Sequence, residues 1–305
     1  MASSTQSFWA QFSEDLARVT EAAGQSVVAL QPQSGHASSG VLWQQGVIVS
    51  ANHSARHDEL TVLLAGGKSA SAHVKGRDRS TDLAIFTMET QDGAPAFRGD
   101  AGELRVGNFV LALARTRRGN LTASSGIISG LMGAWDTWEG GHIDRFIRPD
   151  LTLYRGYSGG PLVNAKGEVV GINTSGLRRG TPVTIPASTV TRVVDELLAK
   201  GHIARPFLGV ALQPVPLPEN LIAKLNIQSR YGFLIVHLDN DGPANRAGLM
   251  LGDIIIEIGG KPVAQLPRLH GILGNQKVGN SVELGMVRSS EKKNVSVTLG
   301  DRADK

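Results

Sequence analysis

The strongest chemical signal in the sequence is a glycine-rich segment around one serine, Gly156-Tyr157-Ser158-Gly159-Gly160. A serine hydroxyl is a weak nucleophile at neutral pH, so it needs a neighbouring base, and the oxyanion formed after attack needs N–H donors. Glycines permit the tight turn that presents such donors, here the amides of Gly156 and Ser158. The segment therefore indicates a nucleophilic serine, although a solvated serine in a β-turn can have the same sequence.

Two residues upstream supply the partners that this chemistry requires. His53 follows the strand predicted over Gly46–Ser50, and Asp82 opens the apolar run that continues to Phe86. A histidine at a strand end can act as the general base, and a carboxylate beside it can hold the far ring nitrogen. Singly, such residues are more often a surface histidine and a turn aspartate. Together with Ser158 they follow the order His, Asp, Ser of chymotrypsin-type proteases.

A different hydrolase architecture also contains a serine between glycines. The nucleophile elbow of α/β-hydrolases predicts a helix directly after the serine and a histidine later in the chain. Here Pro161 and then strand-like runs at Leu162–Asn164 and Glu168–Asn173 follow the serine. The later histidines lie beside or beyond the predicted domain boundary: His202, His237 and His270. We therefore reject the elbow.

Short strands separated by turn residues must position these side chains. The strand-like runs are Val27–Leu30, Gly46–Ser50, Leu60–Leu64, Leu83–Met88, Phe109–Leu113, Gly126–Ser129, Glu168–Asn173 and Pro182–Ile185. Their spacing, without helical patterns between them, predicts a mainly β fold, an antiparallel sandwich or barrel. Apolar residues at helical spacing predict helices over 8–23 and Ser188–Lys200, with Gly24 and Gly201 as their C-terminal caps.

A second pattern begins near Ala204–Pro206, where we place a boundary between domains 1–204 and 205–305. The second part contains strands at Phe233–Leu238 and Asp253–Ile258, a short helix opened by Pro243, a helical pattern over 266–273 and a final hairpin. About 100 residues with two helices and five or six strands are enough for a small α+β domain.

Composition excludes several classes of protein. The 305 residues contain no cysteine, which excludes a disulfide scaffold and a thiol nucleophile. The net charge of +4 is dispersed and does not indicate nucleic-acid binding. No apolar stretch approaches the roughly 20 residues of a membrane span. His53 and His57 have a metal-ligand spacing but lack a following glutamate and a third ligand, so we predict neither a metal nor a cofactor.

These motifs, in this order, resemble the HtrA family of serine proteases, which have a trypsin-like domain followed by a PDZ domain. The resemblance covers almost the whole chain, from VIVSANH around His53 and GRDRSTDLAIF around Asp82 to RGYSGGPLVNAKGEVVGINTSG around Ser158 and GPANRAGLMLGDIIIEIGGKPV near the end. It implies a two-barrel protease fold, with His53 as general base, Asp82 as its orienting acid and Ser158 as nucleophile. The oxyanion hole would be formed by Gly156 and Ser158.

The resemblance also implies sites for the substrate. The S1 pocket would be lined by Thr152, Ile172, Asn173 and Thr174. Because a lone threonine cannot offset a buried cation, we expect cleavage after small or aliphatic residues. In the PDZ domain, a peptide's terminal carboxylate would bind at Phe207-Leu208-Gly209-Val210, with Leu269 and Leu273 on the helix side of the groove.

The implied function is an endopeptidase that cleaves unfolded or exposed polypeptides through an acyl-enzyme, in protein quality control, with regulation by the PDZ domain. The family also implies C-terminal peptides as partners and a homotrimer. Arg155 and Tyr157 depart from the proline and asparagine usual in the family, and Arg148 from its glutamine. These departures leave a second hypothesis open, a chaperone-like peptide-binding protein of low activity. The N-terminus lacks the pattern of a secretory signal, so the compartment stays open, although the family usually works outside the cytoplasm.

Overall fold

A computed structural model describes residues 7–178, 181–204, 206–263 and 276–301. The internal contacts divide the chain into two compact units, Met1–Ile203 and Ala204–Lys305.

The first unit begins with a helix and a closed antiparallel barrel. Helix α1 spans Phe8–Gly24, and the six barrel strands are β1 (Val27–Gln31), β2 (Ser38–Gln44), β3 (Val47–Ala51), β4 (Glu59–Leu63), β5 (Ser69–Asp78) and β6 (Leu83–Met88). Their order around the barrel is β1-β2-β3-β6-β5-β4. Alternate residues of each strand point inward, and the interior is filled by large side chains such as Leu30, Ile48 and Phe86.

A second barrel of six strands follows. Its strands are β7 (Phe109–Arg115), β8 (Leu121–Met132), β11 (Phe146–Asp150), β12 (Pro161–Asn164), β13 (Val169–Thr174) and β14 (Val183–Pro186), in the order β11-β14-β13-β12-β7-β8. A short hairpin, β9 (Trp135–Asp136) with β10 (His142–Ile143), lies in the connection from β8 to β11, and a 3-10 turn spans Ala101–Glu103. The predicted mainly β, two-barrel fold is confirmed.

The two helices of this unit begin and end close to the predicted positions. Helix α2 spans Ala187–Lys200, and Gly201 caps it in the left-handed conformation, with its N–H donating to the carbonyl of Leu197 at 2.9 Å. Helix α1 continues through Gly24 instead of being capped by it, and Gln25 follows in right-handed conformation. The glycine at position 24 serves packing instead of capping, because the side chain of Leu121 occupies the space that a Cβ there would need.

The second unit contains a separate sheet and core. Its elements are β15 (Pro206–Phe207), β16 (Val210–Pro216), α3 (Glu219–Leu225), β17 (Tyr231–Leu238), α4 (Pro243–Arg246), β18 (Ile254–Ile258), β19 (Lys261–Pro262), β20 (Ser281–Arg288), β21 (Glu291–Thr298) and β22 (Gly300–Asp301). The main sheet has the order β16-β17-β18-β20-β21, β19 pairs with β18, and β15 pairs with β22. The helical pattern at 266–273 lies outside the described residues. Within the described ranges, no helix is both long and apolar enough to cross a membrane.

Candidate active site

The register of the first barrel brings His53 and Asp82 together. Strand β3 pairs with β6 so that Ala51 lies opposite Leu83. The residues just after β3 and just before β6 are therefore neighbours, and the Asn52 N–H donates to the carbonyl of Asp82 at 2.9 Å. His53 comes one residue later, so the antiparallel pairing itself delivers the imidazole to the carboxylate.

A tight turn shapes the backbone ahead of Asp82. Asp78, buried at the end of β5, accepts hydrogen bonds from the Ser80 N–H at 3.1 Å, from the Ser80 hydroxyl at 2.7 Å and from the Thr81 hydroxyl at 2.7 Å. Asp82 then adopts φ = +58°, a left-handed conformation that is uncommon outside glycine and that aspartate tolerates better than most residues. The strained conformation turns its carboxylate toward His53, as is common at functional sites.

The carboxylate of Asp82 is saturated with donors. Its Oδ2 lies 2.7 Å from Nδ1 of His53, and its Oδ1 accepts the His53 main-chain N–H at 2.8 Å. The Thr174 hydroxyl donates a third hydrogen bond to Oδ2. A carboxylate at Nδ1 places the ring proton there, which leaves Nε2 with its lone pair free to accept a proton. The geometry is that of an oriented general base.

The main chain at Gly176 covers this pair. A Cβ at Gly176 would lie 2.6 Å from Nδ1 of His53 and 2.7 Å from Oδ2 of Asp82, so no side chain fits there without displacing the pair. The Gly176 N–H donates to the Thr174 hydroxyl at 2.9 Å. Sequence reasoning missed both contributions. Their only signal in the sequence was position, because Thr174 ends strand β13 and Gly176 lies two residues after it.

The serine lies on a loop between β11 and β12 that is held by its own amides. Tyr157 N donates to Tyr154 O, and Gly160 N donates to Tyr157 O, both at 3.0 Å. Gly156 adopts φ = +92°, a conformation that a side chain would strain. In contrast, the amides of Gly156 and Ser158 donate to no acceptor among the described residues. These are the two donors that the sequence predicted for the oxyanion hole.

Asn173 joins this loop to the neighbouring strand. Its side-chain amide donates to the carbonyl of Pro161 at 2.8 Å, and its Oδ1 accepts the hydroxyl of Thr184 at 2.9 Å. Its main chain exchanges two further bonds with Gly159 and Gly160, each 2.9 Å long. The side chain is fully buried, so these bonds form away from competing water and rigidify the loop.

Tyr157, which stands where the family usually has asparagine, packs into the second barrel. Its side chain is buried against Ala112 and Ala114, and its ring lies 5.7 Å from that of Tyr154. The bulk that distinguishes this position therefore fills core space. Arg155, the other unusual residue, is exposed.

The hydroxyl of Ser158 is hydrogen-bonded to Ser175. Ser158 Oγ lies 3.2 Å from the hydroxyl of Ser175 and accepts the Ser175 N–H at 3.3 Å. Among the hydrogen bonds of the described residues, none links Ser158 to His53. His53 and Asp82 are therefore hydrogen-bonded to each other, while Ser158 is hydrogen-bonded to Ser175.

The predicted S1 residues differ in how they are placed. Thr152 is exposed on the loop before the serine. Ile172 is fully buried in the core, and the side chains of Asn173 and Thr174 are buried in the hydrogen bonds described above. At these three positions, only the main chain is left to line a pocket.

The predicted carboxylate-binding loop of the second unit has two free donors. Phe207 belongs to β15 and Val210 begins β16. Between them, the amides of Leu208 and Gly209 donate to no acceptor in the part of the chain that the structure describes. Strand β16 ends the order of the main sheet, so among the described residues no strand pairs with one of its sides. Leu269 and Leu273 lie outside the described residues.

Comparisons with known proteins give the domains and the family. A family profile described as trypsin-like peptidase domain matches residues 38–172, and a PDZ domain profile matches residues 206–299. The serine protease Do-like HtrA of Lactobacillus helveticus is 35% identical over 282 residues, which covers 86% of this chain and 68% of that protein. The chain belongs to the HtrA family of serine proteases.

Other HtrA relatives extend the comparison. A probable periplasmic serine endoprotease, DegP-like, of Halomonas elongata is 34% identical over 273 residues, covering 88% of this chain and 56% of that protein. The chain thus spans little more than half the length of such relatives. The structure of the HtrA-type protease AlgW with a decapeptide has a TM-score of 0.71 at 24% identity and covers 95% of this chain and 99% of its own. The serine endoprotease of Yersinia pestis has the same TM-score and identity, and covers 94% of this chain and 98% of its own. At this identity the two structures show a shared fold.

Proposed function

We propose that this HtrA-family protein is a serine endopeptidase that cleaves polypeptides through an acyl-enzyme. The observation that carries the proposal is the Asp82–His53 pair, 2.7 Å between Oδ2 and Nδ1, beside a serine loop with two unpaired amides. A structural histidine would not require a saturated carboxylate at one nitrogen and a free lone pair at the other.

The reaction follows from these positions. After Ser158 turns from Ser175, His53 Nε2 takes the hydroxyl proton while Oγ attacks the carbonyl carbon of the scissile bond. The amides of Gly156 and Ser158 donate to the oxyanion, and Asp82 stabilises the imidazolium. The imidazolium then protonates the leaving amine, and the acyl-enzyme forms. Water, deprotonated by the same histidine, attacks the ester carbon. The ester bond to Oγ then breaks, the imidazolium returns its proton to Oγ, and the acyl part leaves with a new C-terminal carboxyl group.

We further propose that unfolded or exposed polypeptides are the substrates and that the second unit binds C-terminal peptides and regulates cleavage, in protein quality control. Free amides at Leu208 and Gly209 and the open side of β16 support this binding mode, because a terminal carboxylate accepts such donors while the peptide adds a strand. Relatives described as periplasmic support an extracytoplasmic location. The exposed aromatic rings of Phe8 and Trp9 support the trimer that the family implies.

Replacement of the nucleophile tests the proposal. The Ser158→Ala variant should lose several orders of magnitude in turnover of unfolded casein, since removal of a triad serine in another protease costs about 10⁶ in kcat. Wild-type and variant proteins are compared at equal concentration, with circular dichroism to verify that both are folded. Cleavage by the variant at the wild-type rate would disprove the assignment.

The contact between Ser158 and Ser175 favours a second candidate, a peptide-binding protein of low activity that keeps the protease fold. A fluorophosphonate probe separates the two, because only an activated serine is labelled. Labelling of Ser158 in the wild-type protein supports the protease. Labelling that requires Ser175→Ala, or does not occur, supports the low-activity protein.

A further inference from the structure

A cavity of about 280 Å³ opens beside the loop that carries Ser158, between β11 and β12. The proposed reaction assigns no role to this cavity. Four segments form its walls, namely residues 35–37 before β2, residues 114–117 at the end of β7 and in the turn after it, Thr122 of β8, and residues 155–157 of the nucleophile loop. The wall at Ala37 and the wall at Gly156 lie close together. A Cβ built on Gly156 would be 3.7 Å from the carbonyl oxygen of Ala37. The cavity shares no lining residue with the larger one beside His53.

The lining of this cavity is basic and contains no carboxylate. It includes His36, Arg115, Arg117 and Arg155, and neither Asp nor Glu is among its residues. None of the three arginines forms an ion pair within the described residues, and the side chains of Arg117 and Arg155 are exposed. An arginine presents a planar fork of N–H donors that matches a carboxylate. The cavity therefore fits an acidic side chain.

Arg115 adds a fixed charge to one wall. Its guanidinium donates to three main-chain carbonyls, those of Val27 at 2.6 Å, Gly24 at 2.7 Å and Gly119 at 2.7 Å. These acceptors are neutral, so they satisfy the donors without cancelling the charge. Burial lowers the pKa of Arg115, but an arginine remains protonated at physiological pH.

The position of the cavity determines which part of a substrate can reach it. Ser175 and Gly176 continue from the predicted S1 wall and contact Ser158 and His53 from one side. Gly156, which supplies an oxyanion donor, borders the cavity with Arg155 and Ala37 on another. With the acyl part of a substrate along 174–176, on one side of Ser158, we place its leaving part on the Gly156 side, which borders the cavity. Each extended residue advances the chain by roughly 3.3 Å, so the first few residues after the scissile bond are the ones that can enter it.

We propose that this cavity is a specificity subsite for an acidic residue two or three positions C-terminal to the cleaved bond. The inference rests on the proposed endopeptidase function and names a preference on the leaving side of its substrates. Because two of the arginines are exposed, the preference should weaken as salt screens them.

Quenched peptides with one common acyl part and an amidated C-terminus test the subsite by cleavage. They carry Glu, Gln or Lys at the second and third positions after the bond. We expect kcat/KM to be about 5- to 20-fold higher for Glu than for Lys at low salt. The double variant Arg117→Gln/Arg155→Gln should bring this ratio to about 1. Arg118→Gln is the matched control, because Arg118 lies on the same turn outside the cavity and its removal should leave the ratio unchanged.

Binding separates this proposal from the endopeptidase itself. The same peptides, labelled, are titrated into Ser158→Ala protein and into Ser158→Ala protein carrying the two arginine substitutions, with fluorescence anisotropy as readout. Tighter binding of the Glu peptide that the arginine substitutions abolish supports the subsite, even if the wild-type protein cleaves none of the peptides. Equal affinities for Glu and Lys peptides in the Ser158→Ala protein, or a preference unchanged by the arginine substitutions, would overturn it.

Discussion

The hydroxyl of Thr174 connects the two halves of the site. It donates to Asp82 and accepts the N–H of Gly176, so it holds the carboxylate in place and the covering main chain above it. Thr174 was predicted as part of the S1 wall, and its side chain is buried against Asp82. The hydroxyl is the part of Thr174 that positions Asp82, since valine has nearly the same shape but no hydrogen-bond donor.

Removal of this hydroxyl should slow catalysis without unfolding the protein. For Thr174→Val we expect kcat/KM to fall about tenfold, because a hydrogen bond to a charged group contributes about 1.5–3 kcal/mol. Steady-state cleavage of a peptide substrate measures the loss. Thr189→Val is the matched control, since Thr189 is equally buried and its hydroxyl accepts a hydrogen bond from Asp144 N, away from the site. An equal loss in both variants would assign the effect to general destabilisation.

Among the secondary-structure elements, helix α2 completes the hydrophobic core that the two barrels share. Val190, Val193 and Leu197 pack in one cluster with residues of both barrels, Leu83 and Ile85 from the first and Leu111, Leu113 and Ile172 from the second. His53 and Asp82 belong to the first barrel and Ser158 to the second. The relative position of base and nucleophile therefore depends on this shared core.

Truncation of one side chain of α2 should weaken the whole first unit. Leu197 is fully buried and its Cδ2 lies 2.8 Å from the position of a Cβ at Gly76 on β5. We expect Leu197→Ala to lower the free energy of unfolding by about 2–5 kcal/mol, as for other buried leucines. Urea denaturation measures the change. Leu198→Ala, at a partly buried neighbour, should cost clearly less, and an equal cost at both positions would contradict the packing argument.

At the scale of the whole molecule, each unit has its own core and its own buried charge. In the second unit, Asp253 is 2% exposed and receives a two-pronged ion pair from Arg288, with distances of 2.7 and 2.6 Å. The same guanidinium donates to the carbonyl of Gly248 at 2.8 Å. The hydrogen bonds that Arg288 donates to the Asp253 carboxylate raise the pKa of Arg288. The pair ties β20 to the turn before β18.

Loss of the arginine should destabilise the second unit by about 3 kcal/mol, because it leaves a buried carboxylate without its cation. Hydrogen exchange of the full-length Arg288→Met variant measures this as faster exchange in β18 and β20, with β3 and β13 of the first unit unchanged. Lys292→Met is the control, since its ion pair with Glu257 is more exposed and should contribute at most about 1 kcal/mol. Equal acceleration in both units would show that they do not unfold separately.

Local sequence patterns were sufficient for much of this protein. Turn chemistry and glycines placed Ser158, strand ends placed His53 and Asp82, and helical spacing with a terminal glycine predicted α2. Among the strands of the two barrels, three were missed, β2, β5 and β11. Strand β5 shows the reason, because Ser69–Asp78 is built of small, polar and charged residues and its stability comes from pairing with β4 and β6. The residues of β5 that pack into the barrel, Ala70, Ala72 and Val74, are small and give only a weak apolar signal.

His53, Asp82 and Ser158 could be predicted from the sequence because each lies beside a local pattern, a strand end or a glycine-rich turn. The tertiary structure alone decided that Thr174 faces Asp82, that Ser158 contacts Ser175, and that Arg117 and Arg155 border one cavity. Those relations join segments far apart in the chain. They depend on the register of two closed barrels and on the core between them, and no local periodicity encodes either.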